Sequence, residues 1–126
     1  MLRFDIEPRV GYLYVAATGQ LDVAGAETAL AEMFGAAARA HQSRMLLDCS
    51  RLLGPWGPDE RYAVGSFIAA EMERRANQFP ERPRLAIYAI APLMDPNRYT
   101  QTVATNRGAL VRSSDSLQEL LSWLGV

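Results

Sequence analysis

The 126 residues contain one cysteine and one histidine, and Cys49 stands inside a polar triplet, Asp48-Cys49-Ser50. A thiol beside an imidazole base would be an acyl-transfer nucleophile, provided the two lie within hydrogen-bond reach. His41 closes the apolar face of a helical run, whereas Cys49 follows the strand that comes after it. About six residues of strand keep the two roughly 20 Å apart, so Cys49 reads as a buried structural cysteine rather than a nucleophile. Asp48 and Ser50 have two readings: local hydrogen bonds that hold the loop backbone, or contacts to a ligand. Metal binding fails on donors, because the carboxylates are scattered without ligand spacing. All 13 basic residues are arginine, which removes Schiff-base chemistry and the phosphate-loop lysine. No cofactor or metal is expected.

The least routine stretch is Leu52-Leu53-Gly54-Pro55-Trp56, three large apolar residues in a predicted irregular loop over 51–58. Either Trp56 plugs a gap above the sheet, or the loop forms the lid or wall of a pocket over the strand ends. Apolar walls around a few polar groups are the usual lining of small-molecule sites. Tyr62 and Phe67 on the following helix would extend that wall, and Arg98 would pair with an acidic group of a ligand or stay solvated. Asp59 and Glu60 sit where a helix begins, at the positive end of its dipole.

The elements that must position these residues follow from patterning. Met45-Leu46-Leu47 is a continuous apolar run, the signature of a strand covered on both faces. With helical patterns before and after it, this is the middle strand of a parallel sheet, its polar tail at the carboxyl end where open α/β sheets place their sites. Leu2, Phe4 and Ile6 alternate with Arg3, Asp5 and Glu7, and Pro8 to Gly11 turns the chain into a second strand, Tyr12 to Ala17. So short a connection makes an antiparallel hairpin. Asp22 is an N-cap for a helix whose inner face carries Ala26, Leu30, Met33, Phe34, Ala37 and His41. Pro58 opens a second helix to about Asn77, 85–90 is a buried strand, and Asp95-Pro96 starts a third helix that Gly108 ends. A short strand over 109–112 precedes a last helix capped by Ser116, with Leu117, Leu120, Leu121 and Leu124 as its buried stripe. The order is β-β-α-β-α-β-α-β-α, a mixed, mostly parallel five-stranded α/β sheet with right-handed helical crossovers in a single domain, 1–126.

Composition narrows the function. Hydrophobic content of 49% and charged content of 21% are those of an ordinary globular domain. A formal charge of −1 gives no basic excess for nucleic acid or an acidic membrane. No run approaches ~20 apolar residues, so no membrane span is expected. A lone cysteine and an acid-bearing N-terminus lead us to expect a cytoplasmic protein.

Ala17-Thr18-Gly19-Gln20-Leu21-Asp22 resembles the Gly-x-Leu-Asp lead into the first helix of STAS domains, the fold of the SpoIIAA-like anti-sigma factor antagonists. Met45-Leu46-Leu47-Asp48-Cys49-Ser50 is similar to their central strand ending in Asp-x-Ser. Leu85-Ala86-Ile87-Tyr88, Arg98-Tyr99, Asn106-Arg107-Gly108 and Leu120-Leu121-Ser122-Trp123-Leu124 resemble an uncharacterised SpoIIAA-like branch grouped with the CRAL-TRIO lipid-transfer domains. The resemblance implies a non-catalytic regulatory module that meets a protein partner or its own copy; the branch implies a carrier or sensor of a small apolar or lipid-like molecule. One departure stands out. Regulatory STAS proteins carry a phosphoacceptor serine at the start of the helix after the central strand, where this chain has Gly57-Pro58-Asp59-Glu60-Arg61. The expected burial of the central strand is directly measurable. Residues 45–47 should be among the slowest amides to exchange with deuterium in the native protein; exchange as fast as at a frayed terminus would overturn this architecture.

Overall fold

The computed structural model describes all 126 residues. Strand β1 (Arg3–Arg9) and strand β2 (Tyr12–Gln20) form the antiparallel hairpin, with Ile6 opposite Val15. Helix α1 (Val23–Arg39) leads to β3 (Arg44–Leu53), and α2 (Pro58–Arg74) with a single 3-10 turn at Ala76–Gln78 leads to β4 (Arg84–Tyr88). Helix α3 (Tyr99–Asn106), β5 (Leu110–Ser114) and α4 (Leu117–Leu124) complete the chain. Strands β2 to β5 run parallel, and the sheet order follows the chain, β1-β2-β3-β4-β5. The expected element order holds, and Met45, Leu46 and Leu47 are buried on the middle strand.

Strands added always to the same side of a sheet, through crossovers of one hand, send every connecting helix to the same face. Helices α1, α2 and α3 accordingly pack on Val15, Met45, Leu47, Leu85 and Val111. Helix α4 is not a crossover and is free to take the opposite face, where Leu120 and Leu124 bury Leu46 and Ala86. Because strand side chains alternate, Leu47 and Cys49 face the three helices while Leu46 and Asp48 face the other way.

The helix starts are capped as their sequences require. The Gly25 amide donates to the Asp22 carboxylate at 2.6 Å, and Pro58 takes the first position of α2 with Asp59 and Glu60 in its first turn. The Glu119 amide donates to the Ser116 hydroxyl at 3.2 Å, but the Glu119 carboxylate does not return the bond. It accepts instead from Arg112 at 2.9 Å, and the Ser116 amide donates to the Ser114 hydroxyl at 3.0 Å.

Several boundaries differ from expectation. Strand β3 runs on to Leu53, so Leu52 and Leu53 are not loop residues; they pair with Gly19 and Gln20 beyond a register shift that places Thr18 opposite Arg51. Such a bulge lets a strand absorb an extra residue without losing its pairing, and the glycines and prolines begin only after it. Helix α2 stops at Arg74 rather than near Asn77, and β4 at Tyr88, leaving Ile90 exposed. Helix α3 starts at Tyr99, not Pro96: the Asp95 carboxylate accepts the Tyr99 amide at 3.1 Å, and Arg98 sits at φ +48°. His41 lies past the end of α1 at φ +54° and is exposed, so it is not on the inner face. Leu117, 41% exposed, is outside the buried stripe of α4.

Both sheet edges are protected against further pairing, as exposed edges require. The outward Ser113 amide of β5 donates to the Gln101 side chain at 2.6 Å. On β1, Arg3 pairs with Asp5 at 3.0 Å and Arg9 with Glu7 at 2.9 Å. Between the helices, α2 and α3 meet at Gly65, where an added Cβ would lie 2.8 Å from the Thr100 carbonyl oxygen. Gly65→Ala would gain up to ~1 kcal/mol in helix propensity but force these backbones apart at about 1–3 kcal/mol. A lower urea midpoint is the expected result; an unchanged or higher one would show that α3 yields freely.

Candidate functional site

At the carboxyl ends of β3 and β4, under the three helices, lies a cavity of about 90 Å³ in which 14 of the 18 lining residues are hydrophobic. Leu47, Cys49 and Ile87 line it from the sheet, and Leu52 and Trp56 from the end of β3 and the loop after it. Leu93 and Met94, in the irregular segment between β4 and α3, close it from another side. This is below the ~150 Å³ of an apolar cavity known to take benzene and far below the roughly 300–1,000 Å³ of drug-sized sites. Left empty, such a space costs a fold about 2 kcal/mol by the usual cavity scaling.

Two charges stand at its rim. The Arg61 guanidinium, its side chain only 12% exposed, donates to the Leu93 carbonyl at 2.8 Å and lies 3.6 Å from the Asp95 carboxylate. Asp95 also accepts the Tyr99 amide. One arginine on α2 thus clamps the segment over the cavity at two points, and the same carboxylate starts α3. This clamp is absent from the sequence-derived candidates. Asp95 carries a capping signal, but nothing local pairs it with an arginine 34 positions earlier.

The polar triplet is divided between the two faces of the sheet. Cys49, 8% exposed, lines the cavity, and burial with the nearby Asp48 charge pushes its thiol pKa up to about 12. A protonated buried thiol is a poor nucleophile. His41 lies before β3 begins, whereas Cys49 lies within that strand rather than after it, still several residues further along. On the other face, the Asp48 carboxylate accepts the Tyr14 hydroxyl at 2.6 Å, the Ser50 hydroxyl at 2.6 Å and the Ser50 amide at 3.0 Å. Burial pushes its pKa up, but the bonds from Ser50 and Tyr14 outweigh that and hold it below the ordinary carboxylate value. Tyr14 is raised to about 12, first by donating to Asp48 and then by its own burial.

Of the sequence-derived candidates, Leu52 and Trp56 line the cavity. Asp48 and Ser50 bond each other on the far face. Leu53 is 64% exposed at the end of β3, and Asp59 is exposed in the first turn of α2. Tyr62 does not extend the cavity wall: its exposed hydroxyl accepts from Arg107 at 2.8 Å, with that guanidinium 5.2 Å from the ring centre. Arg98 is not at the cavity either; it lies 4.0 Å from Glu119 of α4.

Five strands in chain order, three helices on one face and a fourth on the other make this the SpoIIAA-like α/β fold of STAS domains. Along its whole length the chain superposes on an anti-sigma factor antagonist from Mycobacterium paratuberculosis, with a TM-score of 0.63, 16% identity and 96% of that chain covered. An uncharacterised DUF3478-family protein with a SpoIIAA-like fold from Shewanella loihica gives a TM-score of 0.54 at 18% identity, over 98% of this chain and 93% of the other. No family model and no curated protein sequence matches the chain. No helix is long and apolar enough to cross a membrane.

The Cys49 environment fixes a pH dependence. An unfolded thiol titrates near about 8.5, so the raised folded value favours the native state fully below that pH and progressively less as pH climbs toward the folded value, by at most about 1.4 kcal/mol per pH unit. Denaturant titrations should show stability falling above about pH 8.5, and falling less steeply in Cys49→Ala. Native Cys49 should also resist thiol reagents until the chain unfolds. Rapid labelling of the folded protein would contradict the burial described.

Proposed function

We propose that this chain is a non-catalytic, cytoplasmic STAS-like interaction module that presents the end of β3 and the first turn of α2 to a protein partner or to its own copy. The observation that carries this reading is Leu53, a large apolar side chain 64% exposed at the end of a paired strand, beside exposed Gly54 and Pro55. Asp59 adds an exposed carboxylate at the start of the adjoining helix. An apolar anchor with a polar rim is the pattern of a binding hot spot. The fold likeness to an anti-sigma factor antagonist supports the same reading. The turn Pro58-Asp59-Glu60-Arg61 offers no hydroxyl to phosphorylate, so binding here is not switched at that point, and the buried, protonated Cys49 supports the absence of catalysis.

The apolar cavity favours a second reading, a carrier or sensor of a small apolar molecule. At about 90 Å³ it has no room for an acyl chain, which narrows the lipid-like ligand implied by the CRAL-TRIO resemblance to something compact. Native mass spectrometry of protein purified without denaturation tests both readings. The module should emerge as a dimer or with a bound protein that Leu53→Asp releases; a wild-type chain that emerges monomeric and bare would overturn it. The carrier should retain a nonpolar adduct that Trp56→Ala loses.

A further inference from the structure

We propose that the cavity under the Arg61-clamped segment selects compact, uncharged hydrocarbon-like molecules and rejects carboxylates of the same shape. This rests on the second reading above and specifies its ligand class. The walls contribute almost only carbon, and the two charges at the rim already offset each other. Arg61 gives one nitrogen to the Leu93 carbonyl and holds another 3.6 Å from Asp95. An incoming carboxylate that reached for Arg61 would compete with Asp95 for it and lie beside Asp95 as a like charge, which is unfavourable at a partly buried site. A cation meets the converse obstacle, since Asp95 is held by Arg61 and by the Tyr99 amide.

Of the remaining hydroxyl and thiol groups that line the cavity, the Thr100 hydroxyl has no partner within the protein; the others are occupied or weak. The Ser113 hydroxyl donates to the Gln101 side chain at 3.2 Å, and the Cys49 thiol is a weak donor. Apart from that one hydroxyl, recognition is left to shape and apolar contact. Trp56, Leu52 and Leu93 are half-buried at the rim, where a ligand would enter, and Met94 is flexible enough to adapt to an occupant.

The test is an amide-resolved NMR titration of the full chain with benzene and with sodium benzoate, which carry the same ring with and without the charge, and with dissolved xenon as a smaller probe. Xenon should shift Leu47, Ile87 and Leu93 saturably. Benzene, tight in a space smaller than the cavity known to take it, should do so as Met94 gives way, with benzoate at least tenfold weaker than benzene. A xenon response without a benzene response would overturn the selectivity. Ala89→Val, which places two methyl groups into the cavity, should keep the dispersed spectrum of the folded chain and lose the benzene response. Benzoate binding as tightly as benzene would overturn the selectivity while leaving the apolar site in place. If neither benzene nor xenon shifts those amides in the wild-type chain, both the selectivity and the carrier reading fall. A folded Ala89→Val that still answers to benzene would place binding elsewhere and overturn both in the same way.

Discussion

The double burial of Met45-Leu46-Leu47 is the constraint from which the rest of the molecule follows. A strand covered on both faces must have its amides and carbonyls paired on both edges, because an unpaired buried peptide group costs about 1–3 kcal/mol. Strands β2 and β4 supply those pairs, with Met45 opposite Leu13 on one side and Leu85 on the other. The register is then fixed, since a slip of one residue would turn Asp48 toward the three helices and Cys49 toward α4. The division of the triplet between a hydrogen-bonded polar face and an apolar cavity is a direct result of that register.

The same geometry explains why the cavity sits where it does. Beyond Asp48 the strand bulges and continues only beside β2, since β4 has already ended at Tyr88. The sheet narrows there while α1 and α2 still overhang it, and the gap is covered by irregular chain rather than by a strand. Irregular backbone does not hold itself in place, so the covering segment is tied down by a side chain from the neighbouring helix. Removing one partner of a buried ion pair leaves the other uncompensated, which makes Arg61 and Asp95 a unit rather than two independent contacts.

The architecture was largely legible in the sequence because its signals are local. The apolar run at 45–47, the Asp22 and Ser116 caps, Pro58 at a helix start and Gly108 at φ +90° after α3 each declare themselves within a few residues. Misplaced boundaries arose where distant pairing overrode local composition. The Arg51–Leu53 stretch reads as loop until Thr18–Gln20 is known to lie beside it, and Asp95-Pro96 reads as a helix start until Arg98 is seen in the left-handed region. The site was legible by half. Leu52 and Trp56 stood out as large apolar residues near glycine and proline, but Tyr62 and Arg98 found partners at positions 107 and 119 that no spacing rule connects to them. The Arg61–Asp95 clamp was illegible for the same reason.

The charge order along β1 bears on assembly. In either direction the strand presents plus, minus, minus, plus at Arg3, Asp5, Glu7 and Arg9. Two copies aligned antiparallel about Ile6 would set arginine against arginine and carboxylate against carboxylate, and Pro8 has no amide to contribute. A palindrome of charge thus discourages this rim from growing into a continuous ten-stranded sheet, and directs any homodimer toward a surface other than the strand edge.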